Sequence, residues 1–177
     1  MSEAPPLASR SEAPELERVD ETGTREFLAF RLGQERYALP LSTVREILRI
    51  PHVTEVPRCP EEVIGVTSVR GTVTTVLDLR VRLRMPCERV TARARILLVD
   101  CWGEPIGMLV DEILQVYRLR EDEVELTSAL GSEGSGYVMG IGRPGSSSRR
   151  RDASGGARVQ EVLILLDGIA LMKEYRS

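Results

Sequence analysis

Side chains that commonly carry out chemistry are scarce in this 177-residue chain. The single histidine, His52, follows Pro51 and has no recognisable catalytic or metal-binding partner in the sequence. The three cysteines, Cys59, Cys87 and Cys101, stand far apart and form none of the short-spaced pairs that zinc sites need. These patterns predict no catalytic residue and no metal site, and they favour reduced thiols that are buried or idle.

Two further motifs could carry chemistry, but their contexts argue against it. Residues 140–145 match the pattern GxGxxG, yet Pro144 and a Ser/Arg-rich run follow where a dinucleotide site needs a helix N-terminus. Asp111 and Glu112 are adjacent carboxylates, and neighbours on a strand point to opposite faces, so they could not easily share a proton or a metal ion. The sequence therefore predicts no cofactor and no enzymatic activity, and it favours a binding module.

Two arginine-rich segments leave nucleic-acid binding open as an alternative function. Residues 80–95 contain six arginines, and residues 143–158 contain five. A small barrel can bind single strands through a basic groove with aromatic side chains in it, but no aromatic residue lies among these arginines. The other interpretation is that the arginines are solvated and face acids elsewhere in a chain whose net charge is only −3.

Apolar and β-branched runs predict a chain built mainly of short strands. One hairpin is predicted over residues 27–41 with its turn at 33–36, and a second over 63–77 around Arg70 and Gly71. Further strands are predicted at 95–100, 105–110, 137–141 and 159–166. Many short strands with few helices are typical of an all-β, barrel-type architecture.

Three segments carry helix signals. Residues 42–49 predict a two-turn helix, because Thr43 and Glu46 have the spacing of a capping box and apolar residues recur at i, i+3 and i+4. Residues 78–85 fit either a strand or a short helix capped by the first residue of the segment. Asp167 is expected to cap a terminal helix.

The chain is predicted to comprise a tail, a folded domain and one long loop. Seven acids against three bases give residues 1–26 a net charge of −4 with almost no apolar repeat, so residues 1–25 are predicted to be a disordered acidic tail. The folded domain is expected over 26–175, with a flexible Arg/Ser/Gly loop at 143–158. A cytoplasmic protein is expected, since no apolar run approaches the ~20 residues that span a bilayer and the N-terminus lacks the order of a signal peptide.

Several ordered blocks of the folded part form a more specific pattern than any single motif. They comprise residues 27–33, 37–41, 44–47, 63–66, 68–71, 76–80, 106–112, 140–143 and 163–167, with Pro57 and Pro60 after the third block. In this order and at this spacing the chain resembles the CheW family of chemotaxis coupling proteins over about residues 26–174.

The resemblance implies a fold and a function. The implied fold is a pair of small SH3-like barrels, each of five strands, packed together with a few short helices. The implied function is that of a non-enzymatic adaptor in the bacterial cytoplasm. Such an adaptor joins the cytoplasmic signalling tips of chemoreceptors to the regulatory domain of a CheA-type histidine kinase and supports assembly of the receptor array. That function involves no cofactor, no nucleic acid and no membrane insertion.

The resemblance also implies residues that bind the receptor. Val44 and Glu46 match family positions at the receptor groove, and Arg70 and Gly71 match the end of the family's Asn-Leu-Arg-Gly motif. A guanidinium can donate two hydrogen bonds to one carboxylate, so Glu46 is a plausible intramolecular partner of Arg70. Val44 could be the apolar anchor of a helix-in-groove contact or a core residue.

The kinase contact is expected on the second barrel, around Ile106, Met108 and Val110, although some of these three strand residues are expected to be core residues instead. The chain also departs from the family pattern. Ser68-Val69 stand in place of Asn-Leu before the Arg-Gly pair, and the loop at 143–158 lengthens a normally short connection.

Overall fold

A computed structural model of the chain describes residues 22–87, 89–101, 103–126, 136–146 and 161–172. In chain order its elements are β1 (Thr24–Leu32), β2 (Glu35–Pro40), a 3-10 turn (Leu41–Thr43), β3 (Val44–Arg49), β4 (Val63–Val69), β5 (Thr72–Asp78), α1 (Leu79–Arg82), β6 (Arg95–Cys101), β7 (Glu104–Val110), β8 (Glu112–Arg120), a second 3-10 turn (Glu121–Glu123), β9 (Val124–Leu126), β10 (Val138–Gly142), β11 (Leu163–Leu166) and α2 (Gly168–Met172). The expected tail at 1–25 and most of the loop at 143–158 lie outside the described residues.

The strands form two sheets, which confirms the predicted all-β class. Six strands follow the order β8-β1-β2-β11-β10-β9, and five follow the order β3-β6-β7-β5-β4. The five-stranded sheet uses one continuous part of the chain, whereas the six-stranded sheet combines the strands before and after it. The first sheet has six strands rather than five. Its edge strand β8, which the sequence did not predict, pairs with β1 along most of its length.

Each sheet curls around a core of its own. In the six-stranded sheet the outermost strands, β8 and β9, are joined by one 3-10 turn, and Leu119 and Val124 from these strands pack in the same cluster. In the five-stranded sheet Thr54 pairs with Val66 of the edge strand β4 through backbone hydrogen bonds of 2.8 and 2.9 Å. Gly65 permits this approach, because a Cβ there would lie 2.2 Å from the Thr54 carbonyl oxygen.

A larger apolar cluster joins the two sheets. Its fully buried members from the six-stranded sheet include Phe30, Leu32 and Leu39, and those from the five-stranded sheet include Leu77, Leu97 and Met108. Removing these large side chains from water is the main favourable contribution to packing one sheet on the other.

The helix predicted over residues 42–49 is wrong, because most of this segment forms β3. The hydroxyl of Thr43 donates to the Pro40 carbonyl at 2.7 Å, and the carboxylate of Glu46 accepts from Arg70, so neither side chain caps a helix. An isolated two-turn helix is marginal in water. Antiparallel pairing with β6 provides the backbone hydrogen bonds and overrides the local helix signal.

The two remaining helix signals are confirmed. Segment 78–85 contains the helix alternative, α1, in which the carboxylate of Asp78 accepts from the backbone N–H of Arg80 at 2.9 Å. Asp167 caps α2 in the same way, accepting from the backbone N–H of Ile169 at 2.9 Å. No helix in the described ranges is both long and apolar enough to cross a membrane.

One buried arginine connects the two sheets. The side chain of Arg80 is 4% exposed, and its guanidinium donates to Asp78 (Nη2 to Oδ2, 2.8 Å) and to Asp111 (Nη1 to Oδ1, 3.2 Å). Asp111 lies between β7 and β8, and its other oxygen accepts from the amide of Gly33, in the turn between β1 and β2, at 2.7 Å. The hydrogen bond to Asp78 is the main cause that raises the pKa of Arg80 above its ordinary value.

We expect Arg80→Met to destabilise the protein by about 3–5 kcal/mol, because it leaves two largely buried carboxylates without their counter-charge. Urea denaturation measures the loss. The control is Arg31→Ala, which removes a more exposed ion pair with Glu112 and should cost at most about 1 kcal/mol. Equal losses in the two variants would contradict a special role for Arg80.

Candidate functional site

The turn between β4 and β5 projects Arg70 from the end of the five-stranded sheet. Arg70 and Gly71 both have φ in the left-handed region, at 50° and 84°, as a two-residue type I′ hairpin turn requires. No atom lies within 4 Å of a Cβ placed on Gly71, so the glycine is needed for its backbone conformation and not for space. A non-glycine residue in this region costs about 1–2 kcal/mol, which Arg70 incurs at an exposed position.

Arg70 and Glu46 form a bidentate ion pair, as the sequence predicted. Nη2 of Arg70 donates to Oε1 of Glu46 at 2.9 Å, and Nε donates to Oε2 at 3.2 Å. Glu46 lies on β3 and Arg70 follows β4, so the pair links the two outermost strands of the five-stranded sheet. The side chain of Arg70 remains 80% exposed, and Nη1 has no acceptor among the described residues.

The pair shifts the pKa of both groups in the direction that favours their charged forms. The hydrogen bond from Arg70 lowers the pKa of Glu46 below its ordinary value of 4.5, and the bond to Glu46 raises the pKa of Arg70. Because the folded-state pKa of Glu46 is depressed, the pair contributes fully above the ordinary carboxyl pKa. Its contribution is lost as the pH falls through the lowered value.

Val44 begins a row of side chains that crosses the five-stranded sheet. The register places Val44 opposite Val99, Val99 opposite Ile106, and Ile106 beside Thr75, so these residues share one face. Val44 is half-buried against the cluster between the sheets. It therefore packs on the core with one side and keeps accessible apolar surface on the other, so its function as an anchor stays a prediction.

Val73 is a candidate that the sequence reasoning missed. Its side chain is 73% exposed, more than that of any other large hydrophobic residue in the described part of the chain. Because residues two apart on a strand share a face, Val73 lies on the same side of β5 as Thr75. Its position two residues after Gly71 is the signal that could have identified it, since a strand residue beside an exposed turn has few neighbours to cover it.

Two of the three predicted kinase-contact residues are core residues, and this part of the prediction is wrong. Met108 and Val110 have no exposed surface and belong to the cluster between the sheets. They lie on the face of β7 that packs against the six-stranded sheet, so these side chains are enclosed between the two sheets. Ile106, near the start of the same strand, is half-buried and keeps some accessible surface.

The arginines of segment 80–95 do not line a continuous basic groove. Arg80 is buried, Arg82 donates to the carbonyl of Leu171 at 3.0 Å, and Arg93 pairs with Glu112 at 3.3 Å. Arg95 donates to the carbonyls of Ala92 and Ala94. Intramolecular partners therefore hold four of the six guanidinium groups, which disfavours the nucleic-acid alternative.

The other residues considered for chemistry are dispersed. His52 is exposed, and its backbone carbonyl accepts a hydrogen bond from Thr67 at 2.8 Å. Asp111 contacts the buried Arg80, whereas the adjacent Glu112 pairs with arginines at the surface. The three cysteines are free thiols whose exposure differs from one to the next. Among the described residues that the sequence singled out, the structure joins Glu46 to Arg70 and forms no second cluster of this kind.

A comparison with protein families agrees with this arrangement of strands and motifs. The family model for the CheW-like domain matches residues 26–176. The chain belongs to the CheW-like family.

Curated proteins that are similar in sequence to this chain include two CheW proteins and protein FrzA. The chain is 31% identical over 111 residues to the probable chemotaxis protein CheW of Rhizobium etli, and the aligned part covers 63% of this chain and 72% of that protein. It is 29% identical over 129 residues to the chemotaxis protein CheW of Klebsiella aerogenes, covering 71% and 76%. It is 30% identical over 117 residues to protein FrzA of Myxococcus xanthus, covering 66% and 73%.

A solved structure supports the same fold. The crystal structure of the scaffolding protein TtCheW from Thermoanaerobacter tengcongensis has a TM-score of 0.70 to this chain and covers 85% of it and 93% of the solved chain. The two proteins are 23% identical, so this likeness concerns the fold. The two curled sheets are thus the pair of SH3-like barrels of a CheW-like domain.

We expect Arg70→Ala to raise the pKa of the Glu46 carboxyl toward 4.5, because its main hydrogen-bond donor is removed. NMR titration of the side-chain carboxyl carbon measures this shift. Arg118→Ala, which removes a similarly exposed arginine paired with Glu26, should leave the Glu46 titration unchanged. An unaltered Glu46 pKa in Arg70→Ala would mean that the pair does not form in solution.

Proposed function

We propose that the protein is a chemosensory coupling adaptor that links the cytoplasmic signalling tips of chemoreceptors to a CheA-type histidine kinase. It works without catalysis, in the cytoplasm of a bacterium and within receptor arrays. The observation that carries the proposal is the exposed Glu46–Arg70 pair on a domain of the CheW-like family. The curated relatives named as chemotaxis proteins support the same assignment.

The receptor-binding surface comprises Val44, Glu46, Arg70, Gly71 and Val73. A helical hairpin can dock on such a surface through an apolar anchor and a charged contact close to it. Val73 and the accessible part of Val44 supply apolar surface, and the outward Nη1 of Arg70 supplies a donor for a carboxylate of the partner. Charge-assisted hydrogen bonds of this kind set the orientation of the partner as well as adding affinity.

Glu46 prepares Arg70 for this contact. A free arginine side chain loses rotamer freedom when it binds, and this loss weakens association. The two hydrogen bonds to Glu46 hold the guanidinium in one orientation before the partner arrives. Glu46 is thereby a positioning residue, and its carboxylate limits Arg70 to partners that approach from the Nη1 side.

The kinase regulatory domain binds near Ile106 in this proposal. Ile106 lies in the same row as Val44, separated from it by β6, so the two contacts are neighbours on one sheet. Proximity of this kind suits an adaptor, since a shift at one contact can reach the other through packed side chains of a single row.

We expect Arg70→Glu to weaken binding of a receptor signalling-tip fragment by about tenfold or more, because it replaces the donor with a second acid beside Glu46. The thermal melt should stay nearly unchanged, since exposed ion pairs contribute little to stability. Binding is measured by calorimetry. Arg118→Glu, a charge reversal at a similarly exposed site on the other sheet, is the control and should bind normally. A collapsed melt would make Arg70 structural, and unchanged binding would remove it from the receptor surface.

Val44→Ala and Ile106→Ala test whether the two contacts are separate. Both residues are half-buried in one row and pack on the same cluster, so we expect similar losses of stability. Val44→Ala should weaken the receptor fragment more, and Ile106→Ala should weaken the kinase regulatory domain more, in pull-downs with purified partners. If both variants affect both partners equally, the assignment of Ile106 to the kinase is wrong.

A further inference from the structure

Two arginines face each other directly across a pair of strands. Arg49 ends β3, Arg95 begins β6, and the antiparallel register makes them partners. Side chains of directly opposite residues lie on the same face with their Cβ atoms about 5 Å apart, and like charges in this arrangement are destabilising. A protein under selection for stability alone gains nothing from this juxtaposition.

Arginines close to this pair in sequence have acidic partners, whereas the pair itself has none among the described residues. Arg45, on the same strand as Arg49, pairs with Asp100 at 2.7 Å. Arg93, two residues before Arg95, pairs with Glu112. Neither Arg49 nor Arg95 forms an ion pair with any residue that the structure describes, so their two positive charges remain without a counter-charge there.

The two arginines line an open cavity of about 390 Å³. Its walls are formed by Arg49, Ile50, Thr91, Ala92, Ala94 and Arg95. Nη1 of Arg95 donates to the carbonyls of Ala92 at 3.0 Å and Ala94 at 2.7 Å, which fixes its guanidinium against the loop without cancelling its charge. Thr91 accepts from the amide of Arg93 at 3.3 Å, so its hydroxyl proton can still be donated into the cavity.

We propose that this cavity is a binding site for an oxyanion, the phosphate or carboxylate group of a ligand. Guanidinium groups bind both oxyanions through paired, charge-assisted hydrogen bonds. An oxyanion between Arg49 and Arg95 would turn their repulsion into two attractions. Thr91 would supply a third donor, and Ile50 an apolar wall for the rest of the ligand. The cavity shares no lining residue with the receptor-binding surface, so a failure to bind an oxyanion would not contradict the proposed adaptor function.

Inorganic phosphate, titrated into the full-length protein at constant ionic strength, tests the site. Constant ionic strength matters because simple screening by salt would also relieve the repulsion. We expect a saturable rise in melting temperature and a calorimetric binding curve in the wild type. Arg49→Ala and Arg95→Ala should each weaken the phosphate affinity about tenfold. Arg45→Ala, which removes a paired arginine from the same strand, should bind phosphate as the wild type does.

A second titration with a hexaglutamate peptide distinguishes the source of the oxyanion. Tighter binding of the peptide than of phosphate assigns the site to an acidic protein segment, and the reverse order assigns it to a phosphate-bearing small molecule. Both results support the proposal if Arg49→Ala weakens the binding. No saturable binding of either probe overturns it, and so does equal binding in wild type and both arginine variants. Without ligand, Arg49→Ala should melt no lower than the wild type, which separates lost binding from lost folding.

Discussion

The buried contact between Arg80 and the carboxylates of Asp78 and Asp111 determines how the two sheets meet. Arg80 belongs to the five-stranded sheet through α1, and Asp111 begins the return of the chain to the six-stranded sheet. The backbone N–H of Gly33 donates to the Asp111 carboxylate, so the turn between β1 and β2 is a third segment held by this contact. Apolar packing between sheets is non-directional, whereas this contact is satisfied in one relative placement. A buried ion pair contributes little net stability but can specify a unique arrangement.

The strand β5 connects this contact with the receptor-binding surface. The Arg70 turn lies before its first residue, and Asp78 is its last. The two arginines flanking β5 have opposite environments: Arg80 is buried between two acids, and Arg70 is exposed with one acid beside it. A buried arginine can act only within the protein, while an exposed one held by Glu46 can also bind a partner. The same residue type thus orients the two sheets at one end of the strand and, in the proposed function, binds a partner at the other.

The sequence was sufficient for the all-β class and most strands, because β-branched runs and a two-residue turn are local signals. The Glu46–Arg70 pair joins residues 24 positions apart and was predicted through the resemblance to the CheW family. Sequence patterns failed at residues 42–49, where pairing with β6 outweighed the capping-box spacing. They also failed at β8, because its charged and polar residues suit an edge strand and do not form a long apolar run. Met108 was misplaced for a related reason. Alternation predicts that one face of β7 is buried, but not that this central strand is covered on both faces.

The arginines show how far composition can mislead about function. Six of them in residues 80–95 suggested a basic groove, yet several are held by acids or carbonyls within the domain. The pair that stays without a described counter-charge, Arg49 and Arg95, lies 46 positions apart in sequence and was not recognisable as a pair. It exists because the segment after Thr43 is a strand: in the helix that the local signals predicted, Arg49 would have no cross-strand neighbour. The error in secondary structure therefore concealed the site. The register between β3 and β6 places these two like charges opposite each other, and in our proposal an anion makes that placement favourable.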